Sequence, residues 1–101
     1  MRQTTESRRY EIRPDAVADW IIVFTERIVP LRESAGFTVL HPWVDLRSNE
    51  FGWLFRYPGD EEEYARAERR YDGLPEHEAI HELAGPWITG TRIQFVEPLE
   101  A

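Results

Sequence analysis

The chain has 101 residues, 42% of them apolar and 13% aromatic, with a formal net charge of −7 and no cysteine. That is enough for one domain with a real core, and it excludes disulfides and thiolate metal sites. The acidic balance argues against a nucleic-acid or anionic membrane surface. No apolar run reaches transmembrane length, and residues 1–9 lack the apolar stretch of a signal peptide, so a soluble, cytoplasmic protein is expected.

In chain order, residues 1–7 read as a loose polar end. Arg8 to Arg13 alternates around Tyr10 and Ile12, as a strand does when alternate side chains face a core. Pro14 and Asp15 then open a helix, since proline suits a first turn and an acid suits its positive end. Val17, Trp20, Ile21, Phe24, Ile28, Leu31 and Ala35 recur at spacings of three and four, giving one apolar stripe. Pro30 interrupts this pattern and predicts a bend near Val29. Gly36 is the expected stop.

A second strand is expected over 37–46. Phe37, Val39, His41 and Trp43 would face one way, and Thr38, Leu40 and Val44 the other. Pro42 cannot donate to a ladder, so this strand lies at an edge or carries a bulge. A polar turn, Arg47 to Asn49, leads to the densest run of strand formers, Asn49 to Tyr57. Phe51, Trp53, Phe55 and Tyr57 share one face of this central strand; Gly52, Leu54 and Arg56 share the other.

Pro58 and Gly59 end that strand. Asp60 with Glu63 is a capping signature for a helix reaching about Tyr71, with Tyr64, Ala67 and Tyr71 inward. Glu62, Arg66 and Arg70 make its solvated ladder. A short helix is expected from Pro75 to Leu83, closed by Gly85-Pro86. A last strand, Arg92 to Glu97, places Ile93 and Phe95 on one side. Strand, helix, strand, strand, helix, strand is the ferredoxin-like order. The expectation is therefore one α+β domain over residues 1–101, core 8–99, with an antiparallel βαββαβ sheet.

Several short motifs in this order resemble the NIPSNAP family of the dimeric α/β-barrel superfamily. They are Tyr10-x-Ile-Arg-Pro-Asp, the Trp-containing helix reaching Val29-Pro30-Leu31, Ala35-Gly36-Phe37, Asn49-Glu-Phe-Gly-Trp-Leu and the terminal Glu97-Pro98-Leu99. The resemblance runs from about Tyr10 to Leu99. It implies a homodimer whose sheets face each other as a barrel, and a pocket between sheet and helices. Related families include cofactor-free monooxygenases, haem-degrading enzymes, isomerases and stress-response proteins, so it implies no particular reaction.

Among residues that could carry chemistry, His77-Glu78-Ala79-Ile80-His81 fits H-E-x-x-H. Histidines at i and i+4 on a helix can share a zinc ion, with Glu78 acting on its water. The wider zincin pattern is missing: Ala84 and Trp87 stand where a metzincin has Gly and His. The downstream acids Glu97 and Glu100 fall on a strand end and tail. An acidic surface helix that meets the pattern by chance explains it better. His41, beside Trp43, is the preferred acid–base candidate, because its ordinary pKa suits proton transfer near neutrality. The ordinary alternative is a hydrogen-bonded strand histidine. Tyr10, Trp20, Trp43, Trp53 and Tyr71, with Tyr64 beside them, could line a cavity for a planar apolar ligand, or fill a core and a dimer interface. Arg56 could bind a carboxylate or pair with a neighbouring acid. No phosphate loop, nucleophile elbow or paired-carboxylate signature is present, and no cofactor is expected.

The leading expectation is a NIPSNAP-like protein that binds a small apolar or aromatic molecule, acting as a cofactor-independent monooxygenase or isomerase if it is an enzyme. A non-enzymatic homodimeric module is the alternative, and a zinc hydrolase built on His77, Glu78 and His81 comes third.

Overall fold

The structure, a computed structural model, describes residues 2–99. Strand β1 (Gln3–Ile12) leads through a 3-10 turn into a helical stretch made of α1 (Val17–Val23), a π-helical turn (Phe24–Ile28) and α2 (Val29–Ser34). Strands β2 (Thr38–Asp45) and β3 (Glu50–Pro58) form a hairpin. Helices α3 (Glu61–Asp72) and α4 (Pro75–Ala84) and a 3-10 turn lead to β4 (Ile88–Val96). The four strands form one sheet in the order β2-β3-β1-β4, every pair antiparallel. This is the expected ferredoxin-like α+β arrangement.

The alternation in β3 sets the two sides of the sheet. Phe51, Trp53 and Phe55 are buried under the helices, and Phe55 is fully so. Phe24 packs edge-on against Phe51 and Trp53, with centroids 4.6 and 5.1 Å away. Gly52, Leu54 and Arg56 face the opposite, open side. Arg9 and Ser7 of β1 pair beside Gly52 and Leu54, and Arg92 of β4 pairs with Arg9.

Three expectations need correction. Residues 3–7 are not a loose end: they are half of a central strand, and Thr4, Thr5 and Glu6 are buried. Strand β4 begins at Ile88, ahead of the expected Arg92, because β1 continues to pair with it through Glu11 and Ile12. In β2 the bulge expected at Pro42 occurs, with the register slipping between Leu40 and Trp43 and His41 at φ 47°. The slip turns Trp43 away from its expected face and onto the open side, where it pairs beside Gly52. Its indole fills the space that a side chain at position 52 would need.

The break expected near Val29 takes the form of the π turn just before Pro30. Proline removes a helix hydrogen bond and its ring crowds the preceding turn, and a widened turn relieves both. The extra residue rotates α2 relative to α1. Arg32, 2% exposed, takes the inward position, while Leu31 is only partly buried. The capping box on α3 forms as the sequence predicts: the Asp60 carboxylate accepts from the Glu63 N–H at 2.9 Å, and the Asp60 N–H donates to the Glu63 carboxylate.

Candidate functional site

The site grows from four aromatic residues on four elements. Tyr10 comes from β1, Trp20 from α1, Trp53 from β3 and Tyr71 from the end of α3. With Ile28, Ile80 and Ala84 they line a cavity of about 130 Å³ between sheet and helices. Tyr10 and Trp20 meet edge to face at 5.4 Å, and the Trp53 indole N–H donates to the Tyr10 hydroxyl at 3.4 Å.

Helix α4 closes one side. Its spacing puts His77 and His81 on one face, and both line the cavity, His77 half-buried and His81 exposed. Their rings lie 6.3 Å apart and near parallel. The His77 ring is 4.9 Å from that of Tyr71, and its Nε2 is 3.8 Å from an Asp72 carboxylate oxygen. Glu78 is exposed and lines no part of this space. Among the described residues no group of three His, Cys, Asp or Glu could hold a metal ion. Glu97 lies along a different groove, at the ends of β1 and β4, and Glu100 lies outside the described residues. The histidine pair is thus a feature of the cavity mouth, and the geometry gives no step through a metal.

An ionic chain reaches the same wall through Arg8 and Arg32, which also line the cavity. Arg8 donates to Glu6 at 2.5 Å and to Glu68 at 2.6 Å, and Arg32 donates to the other Glu68 oxygen. The Arg32 guanidinium also sits among ring faces, with centroids of Tyr71 at 3.8 Å, Phe55 at 4.3 Å and Phe37 at 4.8 Å. Cation–π attraction and a shared carboxylate together offset the loss of hydration. Burial pushes the Glu68 carboxyl up, but its bonds to Arg32 and then Arg8 outweigh this and hold it below the usual carboxylate range. For Arg8, burial opposes the charge, and the surrounding Tyr10, Glu6 and Glu68 outweigh it. Burial pushes the Tyr71 phenol up, only partly countered by Arg32, so it stays protonated at neutral pH. The Trp20 indole N–H and Arg32 Nε are buried with no hydrogen-bond partner among the described residues.

Of the expected pocket residues, Tyr10, Trp20, Trp53 and Tyr71 come together here. Trp43 does not: the β2 bulge places it on the open side of the sheet, where Arg9 lies over its ring at 5.3 Å. His41 does not either. It is exposed at the bulge itself, away from the cavity. Arg56 is on the open face. Sequence spacing does not mark Arg8 and Arg32 as cavity-wall residues. Arg32 follows Ile28 by four, but as a charged residue it does not read as part of the apolar stripe.

No family model matches the sequence, and no curated protein matches it. Solved structures share its fold. An uncharacterised NIPSNAP domain protein from Burkholderia xenovorans superposes with a TM-score of 0.82 at 16% identity, over 95% of this chain and 94% of the other. A NIPSNAP family protein from Agrobacterium tumefaciens gives 0.85 at 13% identity, over 98% and 95%. A Caulobacter crescentus protein named for antibiotic biosynthesis monooxygenases gives 0.69 at 14% identity, over 97% and 91%. The chain therefore has the ferredoxin-like fold of NIPSNAP family proteins and of monooxygenase-like relatives, as its sequence resemblance implied.

Proposed function

We propose that this NIPSNAP-like chain binds a small, planar, mostly apolar molecule in the cavity between its sheet and helices. The observation that carries the reading is the convergence of Tyr10, Trp20, Trp53 and Tyr71 on about 130 Å³ of space. An engineered apolar cavity of about 150 Å³ takes up benzene, so the space suits a single ring. If the bound molecule is transformed, the chemistry starts with cofactor-independent proton abstraction and ends either in return of the proton at another atom, an isomerisation, or in reaction of the substrate anion with dioxygen, which supplies the oxidant for a monooxygenation. The acid–base group is then His77, steadied by Asp72, in place of His41.

The same reading includes a homodimer. The open sheet face supports it. That face carries the exposed Trp43, with Leu40 and Leu54 beside it. Its acids Glu11 and Glu50 gather at one end, and Arg56 lies toward the other. A two-fold axis through such a face sets acid ends near basic centres.

The test uses single-ring probes such as toluene, with ligand-observed NMR on the intact chain. Saturable binding is expected, and Ala84→Leu, which fills the cavity floor, should abolish it while the chain stays folded. If toluene binds wild type and Ala84→Leu alike, the cavity is not the site. If no ring-sized probe binds at all, the aromatic set is only the core of a non-enzymatic module.

A further inference from the structure

The cavity wall carries four basic side chains and no acid. Arg8, Arg32, His77 and His81 line the space, and no described Asp or Glu does. The chain as a whole leans the other way, with 19 acidic residues against 12 Lys and Arg. The acids that pair with these groups stand outside the lining: Glu6 and Glu68, bonded to the guanidiniums, and Asp72, 3.8 Å from His77. Those pairs also leave Arg32 short of acceptors. Its Nη1 bonds Glu68, while its Nε is buried with no partner among the described residues. A cleft lined by one sign of charge and walled by low-dielectric rings concentrates the field inside it.

We infer that the ligand is a single-ring carboxylate, drawn into the aromatic cavity by the basic side chains that line it. A neutral ring gains from the aromatic wall alone. A carboxylate gains in addition from the field of the two guanidiniums, which are the side chains best matched to it. A cationic ring of the same shape meets like charge and is rejected. The histidine pair at the mouth adds to the same sign whenever a ring is protonated.

The carboxylate class rests on the cavity-binding reading, and the test separates the two. Benzoate, nitrobenzene and benzamidinium are planar single rings of nearly one shape, with negative, zero and positive charge. Their dissociation constants for the intact protein are measured by titration NMR at neutral pH. Benzoate is expected to bind roughly tenfold or more tightly than nitrobenzene, and benzamidinium more weakly than either. Ala84→Leu should remove benzoate binding, as it removes that of toluene. Two variants should move the benzoate preference in opposite directions: Arg32→Met shrinks it severalfold, and Glu68→Gln, which takes away the acid both guanidiniums share, raises it. The wild-type series decides the matter even where a variant does not fold. Nitrobenzene or benzamidinium binding as tightly as benzoate overturns the carboxylate class while the cavity reading stands. So does benzoate binding that Ala84→Leu leaves intact. If no ring binds, toluene included, the cavity reading falls and the carboxylate class with it.

Discussion

The two sides of one strand, β3, live in different worlds. Phe51, Trp53 and Phe55 face a closed layer of aromatic rings and a buried ionic chain. Gly52, Leu54 and Arg56, alternating with them, face an open surface on which Trp43 and Arg9 lie. On the helix side the protein supplies the neighbours itself, and Arg8, Arg32, Glu6 and Glu68 are paired with one another. On the open side a tryptophan stays 42% exposed over a glycine. An antiparallel sheet can keep one face in water, and an exposed aromatic on that face marks it as a candidate contact surface. The helix side therefore sets stability, and the open side is the surface on which the proposed homodimer is to be tested.

The largest effects should fall on the helix side. Phe55 is fully buried and touches Phe37, Trp53 and Tyr64. Phe55→Ala is expected to cost about 3–5 kcal/mol in urea unfolding. Leu54→Ala, one residue back and on the open face, should cost about 1 kcal/mol or less in the monomer. Equal costs would erase the distinction between the faces.

Next comes the ionic chain. Glu68→Gln leaves the guanidinium of Arg32 without its carboxylate in a site only 2% exposed. A loss of about 3 kcal/mol is expected. The pH dependence has a definite sign. The Glu68 carboxyl is held down in the folded state. Its contribution is thus complete above the ordinary carboxylate range and is lost as pH falls through the lower, folded value. Urea midpoints from about pH 7 to about pH 3 should fall more steeply for wild type than for Glu68→Gln. Parallel curves would show that the chain does not hold its charge. A smaller effect, about 1 kcal/mol, is expected for Asp60→Ala, which removes the α3 cap but touches neither face.

These contrasts also mark what is legible in the sequence. The β3 alternation is readable because aromatic residues recur every second position. The inward stripe of α3 and its capping box are readable because local spacing decides both. The first half of β1 is not, because Thr4, Thr5 and Glu6 are polar, and their burial comes from lying between β3 and β4. The ionic chain is invisible for a different reason. Arg8 and Glu68 stand 60 positions apart, Arg32 and Glu68 stand 36 apart, and only the topology joins them. Arg32 is further hidden because a charged residue does not read as part of an apolar stripe. The bulge defeats the simple alternation that would put Trp43 in the pocket: an irregularity in the backbone moves its side chain to another face. The spacing of His77 and His81 correctly places them on a common face, and that face looks onto the cavity.

The smallest expected change in stability carries the most information about the open side. A side chain at position 52 would collide with the Trp43 indole, so Gly52→Ala must swing that ring off the sheet. The ring is already 42% exposed, and the better strand propensity of alanine offsets part of the cost of moving it, so the monomer should change by only about 0.5–1 kcal/mol. If the open face is where two copies meet, the displaced indole stands between them, and sedimentation across a dilution series should show the dimer weakened at least tenfold. Trp43→Ala should weaken it too, for the opposite reason: it leaves a gap where Gly52→Ala leaves an obstruction. A dimer that ignores both changes joins through some other surface, and the exposed Trp43 then serves to cover Gly52 and support Arg9 within one chain. A dimer broken by both, at nearly unchanged monomer stability, ties association to this face and leaves the cavity on the far side of the sheet free for a ligand.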